Sequence, residues 1–600
     1  MLFVCGAVGR SPTGSEAPTV AEMVRARRSA LSATVAFATA DRAALAHAQG
    51  HLLSSESGAV QGRLWRPAGE ARSGDEVMLK ACADAYATRG AADFASFSGA
   101  FVCLLVDTRS GGLCIANDRF GICPIYYVSD TDRLSFASEA DALTAVPGFA
   151  RAIDPQAIYD YVFFHCIPSP RTIYRGMRKL EPAATLSWDG KAVQLDTYWM
   201  PRFAHAAGDL GQQSQALRER LKTAVGARIQ PASGAFLSGG LDSSTVAGLF
   251  AGYEAGANTF TIGFDAQGYD ESGYARIAAR HFGTTHHEYF VTPQDVCDSL
   301  SGIASSCGEP FGNSSVIPTF HCARFAREHG IETMLAGDGG DELFAGNTRY
   351  VEQQVFERYF YVPTALRASL EQGYRLMPWL SRLPISGKGA RYIEQAKMGL
   401  PDRLQSYNFL NRFDPHGVFD REWLAAIDQQ APWQAWRERY WAPAETDSLQ
   451  RMLYLDWKFT LADNDLVKVN RMCDLAGVQV CYPMLDTAVL ELSTELNSAT
   501  LLQAGELRGF YKSAFKGFLP KEIIAKSKHG FGLPFGVWMR SDRGLQSLVT
   551  DAFAGMRRRQ IFAPSFLDDS LRLFREEAAG YYGELVWIIT MLEMWLSSHE

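Results

Sequence analysis

Six hundred residues with 47% hydrophobic and 21% charged side chains make an ordinary soluble globular balance, long enough for two or more domains. A net charge of −8 gives no sign of nucleic-acid binding and leaves any attraction for phosphate to a local site. No apolar run approaches the ~20 residues of a bilayer span and no charged n-region precedes an apolar h-region; eleven cysteines without a CxxC pair argue against a zinc ribbon or disulfide scaffold, so the expectation is a cytoplasmic protein outside the membrane.

Residues 1–200 read as short β-like runs separated by turns. Strands are expected over 99–107 (GAFVCLLVD), 113–117 and 124–128, with turns at 110–112 and 118–121. A Cys5-Gly6 pair stands near the start, and the string ANDRFGICPIYY fills 116–127. A polar stretch over 198–211 looks like a linker, followed by a helix over 214–225.

The next stretch, 234–250, reads GAFLSGGLDSSTVAGLF. An apolar strand, a Ser238-Gly239-Gly240 turn and a helix start at Leu241 form a junction that presents backbone N–H groups and a helix dipole to an anion. Glycines let the backbone approach, and the hydroxyls of Ser238, Ser243 and Ser244 add donors. The turn lacks the GK[ST] ending of a P-loop. Beyond it, strand, helix, strand, helix and strand patterns follow over 258–264, 269–281, 286–291, 320–329 and 332–336. That alternation predicts a doubly wound parallel sheet, whose ligands bind beyond the strand C-termini. The last strand runs into Gly337-Asp338-Gly339-Gly340-Asp341-Glu342, acids that could cap a helix or hold a cation.

From 350 to about 450 the pattern is helical and rich in aromatics and arginine, as in 355–374. Trp433, Trp436 and Trp441 read as core packing or as contacts for a peptide. Two further strings are DNDLVKVNRMCDLAGVQVCYPMLD at 463–486 and, within 519–538, the run Lys526-Ser527-Lys528-His529-Gly530-Phe531. Arg557-Arg558-Arg559 reads as a solvated face or a patch for an acidic leader peptide.

In this order, from about Cys5 to about Trp538, these motifs resemble the asparagine synthetase B family of the ATP-pyrophosphatase superfamily, which includes asparagine, beta-lactam and lasso-peptide macrolactam synthetases. The resemblance implies an α/β chain: an Ntn-hydrolase-like, β-rich glutaminase domain over 1–200 and a parallel-sheet ATP-pyrophosphatase domain with helical additions over 212–600. It implies ATP and Mg²⁺ as cofactors, cleavage between the α and β phosphates, and activation of a carboxylate as acyl-AMP. By family match Ser238, Gly239, Gly240, Asp242, Ser243 and Ser244 cradle pyrophosphate, and Leu237, Ile262 and Gly337 hold adenine and ribose. Asp242 and Asp341 hold magnesium. Lys528 faces the phosphates and the reacting centre, with Lys526 its competitor. Asp338 accepts the nucleophile's proton or hydrogen-bonds the substrate carboxylate.

Departures from the family pattern concern the amine. A glutaminase cysteine must be residue one, its α-amine serving as base, and four residues precede Cys5. The family's Arg-Gly-Pro-Asp string is missing, Gln61-Gly62 replaces Asn-Gly, and Gly74 replaces an acid. This implies a degenerate glutaminase fold. Asn470-Arg471 replaces Asp-Arg and Gln479-Val480-Cys481 replaces Glu-x-Arg, changes that put free aspartate as substrate in doubt. The reading that follows is intramolecular amide formation on a precursor peptide, as in lasso cyclases, with a leader-peptide-binding protease of the same pathway as a further partner. Asparagine synthesis and beta-lactam-type closure of a small substrate stay open.

Overall fold

The computed structural model describes residues 3–9, 16–26, 36–40, 43–48 and 51–600, apart from 68, 71, 207, 267, 377–391, 412, 528–531 and 577–578. Its first twelve strands are β1 (Phe3–Gly9), β2 (Ala36–Ala40), β3 (Ala43–Ala48), β4 (His51–Ser57), β5 (Val60–Arg66), β6 (Val102–Asp107), β7 (Leu113–Asn117), β8 (Tyr126–Ser129), β9 (Arg133–Ala137), β10 (Met177–Lys179), β11 (Ala184–Trp188) and β12 (Val193–Thr197). They form two antiparallel six-stranded sheets, ordered β10-β8-β9-β1-β3-β2 and β12-β11-β7-β6-β5-β4.

Strand alternation sends successive side chains to opposite faces and builds the layers. Val4 and Val8 of β1 share one core with Val102, Leu104 and Val106 of β6, so the two sheets pack face to face. Phe3, Cys5 and Ala7 point the other way and pack with Val20 and Met23 of the helix Glu16–Ala26. Cys103 and Leu105 pack under Leu79, Cys82 and Ala83 of the helix Asp75–Arg89. The result is an α/β/β/α sandwich, in keeping with the β-rich glutaminase-like domain that the resemblance implied.

The second unit is a parallel sheet of β13 (Ser233–Phe236), β14 (Asn258–Phe264), β15 (Thr285–Val291), β16 (Thr333–Leu335) and β17 (Gln479–Cys481), ordered β15-β14-β13-β16-β17. Helices Leu241–Ala251, Ser272–Phe282, Pro293–Ser306 and Val316–Glu328 connect the first four strands. Strand order reverses between β13 and β16, and such a switch point opens a crevice at the strand C-termini. Both motif-bearing turns, after β13 and after β16, leave the sheet there.

Residues 479–481, within the quoted string 463–486, form an edge strand paired with β16. The helical reading of 355–374 resolves into Thr348–Glu357, a short turn Arg358–Tyr361 and Thr364–Leu376, broken at Val362-Pro363 because proline lacks the helical donor. Residues 457–465 wind as a nine-residue π-helix, a form usually confined to single turns at functional positions. The long apolar helix Ala579–His599 is a core element: Trp587 and Trp595 are buried, and Tyr161 Oη donates to Ile588 O at 2.8 Å. Among the described residues no helix is long and apolar enough to cross a membrane.

Candidate active site

A cleft of about 630 Å³ opens at the switch point. Leu237, Ser238, Gly240, Asp242, Ser243, Ile262, Gly337, Asp338 and Asp341 line it, together with Phe236, Phe260, Glu271, Asp465, Lys468, Arg508, Lys512 and Lys526. Gly239 and Ser244, named with the turn from sequence, stand behind this wall. Gly239 holds the turn itself: its φ is +69°, and a Cβ would lie 2.5 Å from Tyr274 Cβ. Ser244 is buried on the inner face of its helix, with its Oγ outside any hydrogen bond. Lys528 lies outside the described residues.

The turn is stiffened from within. Ser238 N donates to Ser243 Oγ at 3.2 Å, the two hydroxyls meet at 2.9 Å, and Gly240 N donates to Ser238 Oγ at 3.3 Å. The eleven-residue helix Leu241–Ala251 starts at Gly240 with no side chain capping it. Its first-turn N–H groups and dipole therefore face the cleft, as an anion site requires. Lys526 adds positive charge beside the turn: its Nζ donates to Glu271 Oε2 at 2.9 Å and to Gly239 O at 3.4 Å, over the Tyr274 ring at 4.7 Å.

Asp242 and Asp341 face each other across one cation, the Arg508 guanidinium. Nη1 donates to Asp242 Oδ2 at 2.5 Å and to Asp341 Oδ1 at 3.1 Å, and Nη2 donates to Asp242 Oδ1. Burial works against the Arg508 charge, but the charges and hydrogen bonds of Asp242 and Asp341 together outweigh it, so its pKa rises. Glycines make room for the acids: a Cβ on Gly340 would lie 2.0 Å from Asp242 Oδ1, and one on Gly346 1.8 Å from Asp341 Oδ1. Two converging carboxylates already bridged by a cation fit Mg²⁺, which takes one or two protein carboxylates and completes its shell with phosphate and water. Among the described residues no group of three or more His, Cys, Asp or Glu could hold a metal, so phosphate oxygens are needed for that shell.

Opposite the turn, Asp338 stands half-buried in the cleft wall. Burial pushes its carboxyl from 3.8 to about 6, against the opposing pull of the Lys468 ammonium. Lys468 donates to Asp465 Oδ1 at 2.7 Å; burial disfavours its charge, while Asp465 and Asp338 hold its pKa above the usual lysine value. A carboxyl held near neutrality in a cleft is suited to accept a proton.

Sequence reading passed over Arg508, Lys468, Asp465 and Glu271. Lys468 and Asp465 lay inside a quoted motif and could have been weighed for facing charges; Arg508 carries no local signal. The aromatic and basic candidates resolve differently. Trp436 is buried and donates to Pro401 O, Trp433 packs on Phe163, and Trp441 is exposed over Arg451. Arg557 pairs with Asp568, and Arg559 with Glu593 and Glu600.

The motif departures lie away from the cleft. Cys481 is buried beside Gly69, its Sγ 3.2 Å from where a Gly69 Cβ would stand. Asn470 donates to Ile122 O at 3.0 Å and accepts from Tyr482 Oη at 2.9 Å, at the junction with the antiparallel layers. Asn470 and Cys481 thus pack at the junction between the two units. Cys5 is fully buried in mid-strand, flanked by Ala46 and Ala137 on its two neighbours.

A doubly wound sheet whose switch point carries an uncapped helix start, two bridged carboxylates and a near-neutral acid defines a nucleotide-cleaving ligase of the ATP-pyrophosphatase type, here joined to a glutaminase-type sandwich. The asparagine synthase family model matches residues 216–597 and the glutamine amidotransferase domain model matches 66–199. The chain belongs to the asparagine synthetase family, ATP-dependent ligases that form AMP and pyrophosphate. It is 28% identical over 463 residues to a putative asparagine synthetase (glutamine-hydrolyzing) of Mycobacterium bovis, covering 75% of this chain and 69% of the relative. It is 24% identical over 466 residues to asparagine synthetase (glutamine-hydrolyzing) 1 of Bacillus subtilis, covering 76% and 72%. Over 258 residues it is 33% identical to putative asparagine synthetase (glutamine-hydrolyzing) 2 of Methanocaldococcus jannaschii, covering 42% and 50%.

Proposed function

We propose that the protein adenylates a carboxylate of a precursor peptide and closes a macrolactam with an amine of the same peptide, in the manner of lasso-peptide cyclases. The observation that supports this reading is Cys5: its thiol is buried between Ala46 and Ala137 inside the sheet, closed to a glutamine carbonyl, which favours an amine of the substrate itself as the donor. The turn 238–244 holds the β and γ phosphates, and Phe236, Leu237, Phe260 and Ile262 pack on the base. Asp242 and Asp341 would hold Mg²⁺, which when bound would supply charge neutralisation for the pyrophosphate. Asp338 takes the proton of the attacking amine, Lys468 keeps the neighbouring carboxylates compensated, and Lys528 stabilises the developing oxyanion. Precursor peptide and a leader-binding protease are the partners of this reading, in the cytoplasm.

A second reading, asparagine synthesis from aspartate with ammonia or glutamine, is favoured by the names of the relatives and by the amidotransferase match over 66–199. Beta-lactam-type closure of a small substrate follows the logic of the first. ATP–pyrophosphate exchange with a precursor peptide against exchange with aspartate separates them. Peptide-dependent exchange with a product lighter by one water supports the cyclase; aspartate-dependent exchange with asparagine formation removes it. Asp242→Ala, Asp341→Ala and Lys528→Ala each abolish product under either reading.

A further inference from the structure

Arg508 sits between the two acids of the cleft that would have to open to take a metal. It precedes the helix Gly509–Ala514, with φ 58° and ψ 29°, a left-handed backbone that a non-glycine residue rarely adopts. The guanidinium is buried, lies over the Tyr511 ring at 4.4 Å and is anchored at its backbone by Arg508 N donating to Ala345 O at 3.3 Å. Its fork reaches both carboxylates at once, three hydrogen bonds on two acids in the first turns of different helices. Without a cation between them those acids would repel at close range. The chain supplies that cation itself, and it stays charged at every accessible pH.

A divalent ion therefore meets a compensated pair rather than an empty one. To coordinate Asp242 and Asp341 it must replace charge-assisted hydrogen bonds, and in return it finds two protein carboxylates, short of its six ligands. Nucleotide phosphates remove both obstacles. They add the missing oxygens, and they offer the planar guanidinium a bidentate partner beside the helix start.

We infer that Arg508 is the resting counter-ion of the Asp242–Asp341 pair, and that divalent metal enters this site only with the nucleotide, whose phosphates take over the guanidinium. Metal and nucleotide binding are then coupled, and by linkage each strengthens the other. When metal and pyrophosphate depart together, Arg508 closes the acids again. The inference does not depend on which amine attacks or which carboxylate is activated.

The test is titration of the metal-free, full-length protein with Mn²⁺ alone, followed by the electron paramagnetic resonance of unbound Mn²⁺. Wild type shows no site at concentrations where Arg508→Gln fills one, a gain of roughly tenfold or more in affinity, the scale of a charge-assisted hydrogen bond. Adding Asp341→Asn to Arg508→Gln removes the gained site. Should Arg508→Gln fail to fold, Arg508→Lys, which keeps a charge but loses the fork, gives a smaller gain in the same direction. Wild type binding Mn²⁺ as tightly as the variants, or a gained site that survives Asp341→Asn, overturns the inference.

Discussion

Asp338→Asn separates the two half-reactions that the cleft combines. The substitution keeps shape and removes the base, so adenylation, read as ATP–pyrophosphate exchange, should persist while amide formation falls by roughly 10²–10⁴-fold, the usual scale of general-base catalysis. In wild type, amide formation should rise through pH about 6, where burial has placed the Asp338 carboxyl; at pH 5 only about a tenth of the enzyme carries the base in its active form. The same burial makes a stability statement with a definite sign. A carboxyl raised in the folded state from 3.8 to about 6 costs the fold up to about 3 kcal/mol once both states are ionised. That cost is absent below pH 3.8 and complete above pH 6. Asp338→Asn should therefore melt above wild type at pH 8, with the gap closing toward pH 4. Parallel loss of exchange and product, or a wild-type profile flat across pH 5 to 7, would refute the assignment.

Three further outcomes follow from the geometry. Cys5→Ala should leave product formation unchanged, with no glutamine-derived glutamate from either protein; glutamate release lost in the variant would restore the glutaminase. Lys526→Met unties the Gly239 carbonyl and Glu271, so KM for ATP should rise roughly tenfold, with kcat less affected; an unchanged KM would place Lys526 outside the nucleotide site. Glu70→Gln strips the carboxylate that ties buried Arg228 and Arg72, while Asp486 still holds both arginines. The cost should fall near the lower end of the 3–5 kcal/mol typical of broken buried pairs, read as urea midpoint, and a change below about 1 kcal/mol would mean water already screens the pair.

The strand–turn–helix at 233–251 was legible because each step has its own chemistry: a short apolar run, a turn needing positive φ, and small hydroxyl residues at a helix start. Strand 258–264 was legible to the residue, since NTFTIGF alternates as a strand does. The edge strand 479–481 was not: three residues carry no period, and their pairing depends on Thr333–Leu335 some 145 positions away. Asp338 was found from its turn, but its elevated pKa comes from burial that no local string encodes. Arg508 was invisible for a stronger reason. Its partners lie 266 and 167 positions away, and only the folded meeting of two helix starts distinguishes it from the chain's other basic residues.

The junction between the antiparallel layers and the parallel sheet carries a last consequence. Lys179 of β10 donates to Ile167 O at 3.1 Å and lies 3.1 Å from Asp463 Oδ1 and 3.5 Å from Glu309 Oε2. Ser169 N and Oγ donate to Asp463 Oδ2 at 3.0 Å, and Tyr126 Oη donates to Glu309 Oε2 at 3.2 Å. The remaining void there is about 70 Å³. Burial raises the Glu309 pKa above 4.5, and Lys179 is the main force opposing that rise. Lys179→Met should thus cost about 3–5 kcal/mol near neutral pH, and Glu309 should then take up its proton at still higher pH. A carboxyl raised in the folded state destabilises only where it is ionised, so the melting gap to wild type should be widest at pH 8 and narrow as pH falls toward 4.5. A gap independent of pH would show that lost packing of the lysine stem, rather than an uncompensated carboxylate, is what the variant reports.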